Sequence, residues 1–397
     1  MGFLSGRATF ERYWITHDPT PALGVDHIES LKKHKIANTL RAALEQPKVG
    51  FLAGAHLLDT KFDLEKNILV DAMHFGVRID SDQIPSAVRN AWLQMELLPM
   101  TVDNPSGKPT KSQRQEAKEA VEARCLEEAA TGKFRRMQQI PILWDALHDV
   151  IYVGTTSPVA NELCIDLLQR AFDIQVERVT ASKLVRGFAE EHQLREPLQK
   201  LSPALVHDTD VAGTVVWWNG MADNYDYLGN EFLLWLWWRW DTDSDTLALS
   251  DDSQVSGMFA RTLTLDCPLG ENGKETISAV SPVVLPEAAL AVRSGKLPRK
   301  AGLTLVRHDE QYEFSLQAES FTVGGAKMAY IGNDTEIAAD RSAVTCVERL
   351  RGLTETLDLL FAEFCRRRLG TGWNDDLREI RKWLRSAAAR DRRMPAA

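Results

Sequence analysis

The segment Phe232–Trp240, with the sequence FLLWLWWRW, is the most apolar part of the chain and limits what the chain can fold into. It is far shorter than the roughly 20 residues that an α-helix needs to cross a bilayer, and Arg239 interrupts it. Because apolar residues cluster around them, we expect its tryptophans, together with Trp217 and Trp218, to form a buried core or an interface rather than a surface that stacks on bases. Hydrophobic residues make up 44% of the 397 positions and charged residues 26%, which is typical of a folded globular protein outside the membrane.

The amino-terminal residues show no long apolar stretch followed by a cleavage site of small residues, so we expect a cytoplasmic protein without a secretory signal. The five cysteines are odd in number and widely spaced, and they include no C-x-x-C pair. This pattern predicts reduced, structural cysteines and argues against a disulfide framework or a zinc site.

The fold class is predicted as α+β, with antiparallel sheets and packed helices in several subdomains, because 397 residues exceed one ordinary core. We divide the sequence into an N-terminal α+β region (1–105), a helix plus β-hairpin, helix and strand region (106–200), a Trp-rich and acidic-loop region (201–275), a C-terminal β-meander and helix (276–370) and a basic tail (371–397).

Residue periodicity predicts strands at 8–15, 67–79, 140–144, 150–154 and 174–179, and a meander of strands at 302–308, 312–318 and 321–330. The predicted helices are 28–45, 84–97, 112–130, 157–172 and 339–369. For three of these helices we expect N-caps at Ser81 or Asp82, at Ser112 in a capping box with Gln115, and at Ser157 before Pro158.

Motifs of the common enzyme classes are missing from the sequence. It contains no G-x-G-x-x-G, G-x-S-x-G or H-E-x-x-H, and Ser106–Thr110 lacks the upstream glycine of a phosphate-binding loop. The loop at 241–252 has carboxylates at the spacing of a calcium loop, but Thr246 replaces the required glycine. We therefore expect a non-enzymatic protein with no catalytic residue, metal or cofactor.

Two histidine–aspartate pairs, His207-Asp208 and His308-Asp309, could orient an imidazole for proton transfer. Adjacent residues on a strand point to opposite faces, so surface or capping histidines are the better interpretation. A hydrolase that uses these histidines or the Asp241 loop is kept as a third hypothesis.

A basic stripe is predicted on the helix at 112–130. Lys111, Arg114 and Lys118 recur at spacings of three and four residues and so share one helix face. Such a stripe can neutralise phosphates and give sequence-independent, salt-sensitive DNA binding. The alternative is a solvated helix whose glutamates, Glu116, Glu119 and Glu122, pair with these cations.

Further basic residues extend the predicted DNA-binding set. Those near the stripe are Lys108, Arg124, Lys133, Arg135 and Arg136, and a second cluster comprises Arg293, Lys296, Arg299 and Lys300. The net charge of −9 counts against a nucleic-acid binder. It is not decisive, because charges more than about 8 Å apart are largely screened in the cell.

The order of several segments resembles the recombination-associated RdgC family. The matching segments are the strand Ile68–Ile79 before Ile84–Arg89, the Lys/Glu-rich helix, Phe134–Asp145, the strand Val150–Gly154, the helix with Leu163, Leu167 and Leu168, the stretch Pro286–Leu305, Tyr312–Phe314 and the helix around Leu353–Phe364. The resemblance covers nearly the whole chain, but 217–274 looks expanded relative to the family.

The resemblance implies a ring-shaped homodimer with an acidic exterior and a basic hole, through which duplex DNA passes without sequence preference. Such a nucleoid-associated protein would restrain strand exchange by a recombinase. By position, Phe134 matches a family aromatic at the DNA-facing or ring-closing surface. Ser281-Pro282 stands where family members can carry a Lys-Gln pair, which puts that contact in doubt.

A rival hypothesis is a non-catalytic interaction scaffold that keeps the RdgC-like fold but binds a protein partner through its Trp-rich segment. Salt-dependent DNA affinity separates the two hypotheses. The sequence leaves single-stranded DNA open as a second ligand beside double-stranded DNA.

Overall fold

A computed structural model describes residues 2–4, 6–16, 22–38, 46–102, 104, 107–206, 221, 223–242, 245–267, 273–327 and 339–390. The chain divides into two compact units, neither of which is one continuous stretch of sequence. Unit 1 comprises Met1–Thr16, Asp149–Thr156 and Val176–Ala397, and unit 2 comprises His17–His148 and Ser157–Gln175. Both units combine helices with antiparallel strands, so the predicted α+β class is confirmed.

The helices in the described residues are α1 (Val25–Lys33), α2 (Leu64–Asn67), α3 (Ser86–Val102), α4 (Lys111–Thr131), α5 (Pro158–Phe172), α6 (Ala181–Glu191), α7 (Arg195–Gln199), α8 (Tyr227–Thr242), α9 (Pro286–Arg293), α10 (Ala339–Leu369) and α11 (Trp373–Arg390). The strands are β1 (Arg7–Ile15), β2 (Lys48–Leu52), β3 (Ile68–Leu69), β4 (Ala72–Ser81), β5 (Arg136–Asp145), β6 (Val150–Val153), β7 (Val176–Arg178), β8 (Thr246–Ala248), β9 (Gln254–Asp266), β10 (Glu275–Ala279), β11 (Leu297–Arg307), β12 (Glu310–Gln317) and β13 (Thr322–Lys327).

The sheet of unit 1 is antiparallel and has the order β10-β9-β11-β12-β13-β1-β6, with β7 also pairing with β1 and β8 with β9. Side chains alternate between its two faces. Along β12, Tyr312, Phe314 and Leu316 are buried while the residues between them are partly exposed. This is the pattern of a sheet with one face on a core, and it confirms the predicted meander β11-β12-β13.

Helix α8 forms the centre of the unit 1 core. The tryptophans at 235, 237, 238 and 240 are all buried, which confirms the core interpretation of this segment. Phe232 packs against Phe321 and Phe361 with ring centroids 5.9 and 5.3 Å apart. Gly229 allows the helix to approach the sheet closely, because a Cβ there would lie 1.9 Å from the carbonyl oxygen of Ala318.

Two ion pairs, one half-buried and one buried, connect α10 to the rest of unit 1. Arg12 on β1 donates two hydrogen bonds of 2.7 Å to the carboxylate of Asp358. Arg368 donates through Nε to Glu231 of α8 at 2.6 Å, and both side chains are less than 10% exposed. Each pair satisfies a charge that would otherwise be buried alone.

Unit 2 contains a smaller antiparallel sheet in which β4 lies between β2 and β5, with β3 also paired to β4. One face is covered by α1 and α5. There Phe172 contacts Phe51 and Trp144 with ring centroids 5.8 and 5.0 Å apart. Ser157 caps α5 through the backbone N–H of Ala160, as predicted.

Several local predictions for unit 2 are wrong. The helix expected at 28–45 is Val25–Lys33, and His34–Asn38 is not helical. The strand expected at 67–79 is a tight hairpin of β3 and β4, because Val70 takes a left-handed conformation with φ 57°. Helix α3 begins at Ser86, too late for Ser81 or Asp82 to cap it. Thr110 with Gln113, two residues earlier than expected, forms the capping box of α4.

In unit 1 the sequence patterns did not reveal β8, β9 and β10. Part of the expected acidic loop at 241–252 is therefore strand β8. The predictions that concern Ser106, His207, Asp208, Trp217, Trp218 and residues 391–397 of the basic tail fall outside the described residues.

Candidate functional site

The predicted basic stripe lies on the exposed side of α4. The side chains of Lys111, Arg114 and Lys118 are all exposed, and none of them forms an ion pair within the described part of the chain. The glutamates therefore do not neutralise them by direct contact, and Glu119 instead accepts a hydrogen bond from Gln115 at 2.9 Å. Three cations on one helix face are thus available to a phosphate-bearing ligand.

The start of α4 is held by the linker before it. Gln113 closes the capping box with Thr110, donates to the carbonyl of Met100 at 2.9 Å and accepts from Asn104 at 2.7 Å. The same Asn104 amide donates to the carbonyl of Lys108 at 3.1 Å. These bonds fix Lys108 and Lys111 at the beginning of the stripe.

A small apolar cluster positions the other end of α4. Trp92, Ile84 and Val121 form its buried part, and Phe134 packs on Trp92 edge to face with ring centroids 6.4 Å apart. Arg124 lies over the ring of Trp92 at 4.6 Å, a cation–π contact. Phe134 is half-buried here, so it contributes packing between α3 and α4 beside any contact with a ligand.

The residues after α4 add three exposed cations. Lys133 lies 4.0 Å from Glu128 and is 68% exposed. Arg135 lies 3.5 Å from Asp82, a buried carboxylate, so part of its charge is compensated. Arg136 opens β5 opposite Ser81 and is exposed.

A groove of about 870 Å³ lies beside these residues in unit 2. Arg136, Arg89, Glu122, Asp82 and Ala129 are among its lining residues. Sequence reasoning did not find Arg89. It lies on the first turns of α3, and only the packing of α3 on α4 brings it to the groove that Arg136 lines.

The second basic cluster is largely compensated by carboxylates. Lys296 is buried and pairs with Glu275, and Arg299 pairs with Asp266 at 2.7 Å and Glu319 at 3.2 Å. These pairs raise the pKa of Arg299, against the opposing effect of its partial burial. Arg293 is half-exposed, and Lys300 is exposed without an ion pair among the described residues.

The basic residues of α11 also have local partners. Arg378 and Lys382 pair with acidic residues one turn away, and Arg381 donates to the carbonyl of Leu205 at 2.8 Å. Trp383 is buried and donates to Asp241 at 2.6 Å. This part of the tail is therefore a packed helix.

The groups considered for catalysis that lie within the described residues are not brought together. His308 and Asp309 form an exposed turn with φ values of 51° and 64°, and Asp241 bonds to Trp383. The described residues include no group of three or more His, Cys, Asp or Glu that could hold a metal ion. All five cysteines lie at described positions and are free thiols, and burial raises the pKa of Cys164 to about 12.

Comparison with known proteins gives no family assignment: no protein-family model matches the chain, and no curated protein matches it. Across the described ranges, no helix is long and apolar enough to cross a membrane.

Proposed function

We propose that the protein binds duplex DNA without sequence preference and thereby restrains strand exchange by a recombinase. The observation that carries the proposal is the row Lys111, Arg114 and Lys118 on α4, which is exposed and forms no ion pair in the described structure. Exposed cations on one rigid helix face can replace the counterions of a phosphate backbone, which makes binding strong at low salt and indifferent to base sequence.

The surface has the features of backbone binding and lacks those of base readout. Its groups are Lys and Arg side chains on a helix flank, with Lys133 and Arg136 continuing it. Two aromatic side chains lie beside it: Trp92 is buried, and Phe134 is half-buried against Trp92. Neither offers a fully exposed ring on which single-stranded bases could stack. This favours duplex over single-stranded DNA. We also propose that the protein forms a ring-shaped homodimer, as the RdgC resemblance implies, and that it resides in the nucleoid.

The test is a fluorescence-anisotropy titration of several short duplexes of different sequence over a range of salt concentrations. Wild-type protein should bind all of them alike, with an affinity that falls steeply with salt. The variant Lys111→Ala, Arg114→Ala, Lys118→Ala should reduce the slope of log K against log salt by about 2.7, at about 0.9 per lost phosphate contact.

A matched control removes three exposed cations of unit 1 through Lys200→Ala, Arg195→Ala and Arg378→Ala. It has the same change in net charge and should keep the wild-type slope. Equal slopes for both triple variants would show that α4 does not contact the phosphates. A strand-exchange assay with a purified recombinase then tests the second half of the proposal, since only the protein that binds DNA should slow the reaction.

The rival function is a protein-interaction scaffold that docks its partner on the Trp-rich segment. In the described part of that segment the tryptophans of α8 are buried and so offer no docking surface, while Trp217 and Trp218 lie outside the described residues. The exposed apolar residues Met95, Leu98 and Val102, spaced by three and four along α3, are the better candidate. Absence of DNA binding at low salt in the anisotropy assay would favour this function.

A further inference from the structure

A polar cavity of about 590 Å³ lies on the open face of the unit 1 sheet. The strand register places its residues in rows that run across the strands. One row contains Lys300, Gln317 and Thr322, and the next contains Gly302, Ser315 and Gly324. Side chains between these positions, such as Leu303 and Phe314, are buried on the other face.

The row of Gly302, Ser315 and Gly324 lies between the row of Lys300 and that of Thr304 and Glu313, and it forms the floor of the cavity because its residues are small. At Gly302 a Cβ would lie 2.1 Å from the carbonyl oxygen of Ala260, so no other residue fits without moving β9. At Gly324 a Cβ would lie 2.6 Å from Oγ of Ser315. Because this row has no long side chain, it forms a depression in the sheet surface. The longer side chains of the neighbouring rows, such as Lys300 and Glu313, form its two rims.

The rims carry an excess of positive charge. Four cations line the cavity, Arg7, Arg178, Arg261 and Lys300, against two carboxylates, Glu11 and Glu313. Arg178 bonds to Glu11 at 2.6 Å and Arg261 to Glu313 at 2.9 Å. Arg7 and Lys300 form no ion pair among the described residues and are exposed. Arg7 is close enough to Glu313 to help lower the pKa of that carboxyl, after Lys327 and Arg261, but it makes no direct ion pair with it. Arg7 and Lys300 thus remain free of direct ion pairs with the described residues around one cavity.

One residue at the edge of the cavity, Arg261, has a strained backbone conformation. Its φ of 70° is in the left-handed region, which non-glycine residues rarely adopt, and it lies where the register of β9 and β11 shifts. Such strain is concentrated at functional sites in proteins. The bulge brings the Arg261 side chain to Glu313 at the edge of the cavity.

The two cations without ion pairs lie at opposite ends of the cavity. The guanidinium of Arg7 lies beside Gly325 of β13, 4.0 Å from where a Cβ would be, whereas Lys300 is on β11, two strands away in the row of Thr322. Three residues along a strand and two strand spacings give about 14 Å, which the length of the Lys300 side chain shortens. A ligand that satisfies both cations therefore needs anionic groups at both ends.

Between these ends the cavity offers hydroxyl and amide groups. The lining residues of this kind are Thr9, Thr156, Thr262, Thr304, Ser315, Gln317, Ser320 and Thr322. They suit a ligand rich in hydroxyl groups, and the two carboxylates can accept from such groups. Phe314 lines the cavity, but its side chain is buried on the other face of the sheet and so offers no face for a nucleobase. The volume is that of an ordinary small-molecule site.

From these features we infer that the cavity binds a small polyhydroxyl compound with a phosphate at each end, of the sugar bisphosphate class. Arg7 and Lys300 would each hold one phosphate, and the Thr, Ser and Gln side chains would hold the sugar hydroxyls. The site is independent of the DNA-binding surface on α4.

The experiment is isothermal titration calorimetry of the full chain with fructose 1,6-bisphosphate at low salt. We expect saturable binding of one ligand per chain, weakened about 10- to 100-fold by Arg7→Ala and by Lys300→Ala, because each removes a charge-assisted hydrogen bond. The control Lys200→Ala removes an exposed cation that does not line the cavity and should bind as wild type. Thermal melting curves should match for all variants, since neither Arg7 nor Lys300 has an ion pair to lose among the described residues.

Fructose and inorganic phosphate serve as reference ligands and should bind at least tenfold more weakly than the bisphosphate. No heat of binding up to about 10 mM, unchanged affinity in both cavity variants, or equal affinity for inorganic phosphate would each overturn the inference. The α4 triple variant should retain sugar bisphosphate binding, which separates failure of this site from failure of the DNA-binding proposal.

Discussion

Replacing Arg368 by methionine should destabilise unit 1 by about 4 kcal/mol. Arg368 donates to Glu231 at 2.6 Å and to the carbonyl of Ser202 at 2.7 Å, in a buried environment. Its removal leaves a carboxylate that is only 2% exposed, with the backbone N–H of Ala204 as its remaining hydrogen-bond partner among the described residues. A buried charge that loses its partner costs about 3–5 kcal/mol, and a lost neutral hydrogen bond about 1 kcal/mol.

The second variant, Arg368→Met with Glu231→Gln, removes the charge but keeps an oxygen for the Ala204 N–H. It should recover more than half of the lost stability, since no ion then remains buried alone. Urea unfolding measured by tryptophan fluorescence is the assay, because the buried tryptophans of α8 report on the same core. A single variant that loses less than about 1 kcal/mol, or a double variant less stable than the single one, would refute the reasoning.

Three further predictions concern other parts of the chain. Thr110→Ala removes the cap of α4 and should cost about 1 kcal/mol in urea unfolding, while Thr110→Ser should cost less. Gly302→Ala should destabilise unit 1 by more than about 2 kcal/mol, because its Cβ meets the Ala260 carbonyl; a melting temperature equal to wild type would contradict this. Desolvation lowers the pKa of His74 from 6.5 to about 4. The folded state then binds fewer protons, so stability should fall by up to about 3 kcal/mol as pH drops from 6.5 towards 4, and His74→Gln should flatten this fall.

The sequence predicted best where the signal is local. Pro158 and Ser157 fixed the start of α5, and helical propensity placed α4 to within a residue at each end. These features depend on neighbours within one turn. The capping residue of α4 was missed because Ser112 and Thr110 both satisfy the pattern, and only Thr110 has the extended backbone of a cap.

The candidate sites depend on contacts that a linear pattern does not contain. That Lys111 and Lys118 form no ion pair among the described residues, while Lys296 and Arg299 do, follows from tertiary neighbours 20 or more residues away. The cavity on the unit 1 sheet combines residues far apart in the sequence, such as Arg7 and Lys300, and its glycine floor follows from strand register. Hydrophobic periodicity predicts strands, but it does not predict which strands are neighbours.

The pairing of β1 with β13 has a consequence for synthesis of the chain on the ribosome. Arg12 and its partner Asp358 are 346 residues apart, so the pairing of β1 with β13 and this ion pair can form only after residues 322–358 have been made. Unit 2, which ends at Gln175, is complete much earlier. Domains generally fold as units during translation, and long-range strand pairing is slow. Strand β1 can pair early with β6 and β7, but its other edge must wait for β13, so truncations that remove β13 should leave that edge unpaired and lead to aggregation.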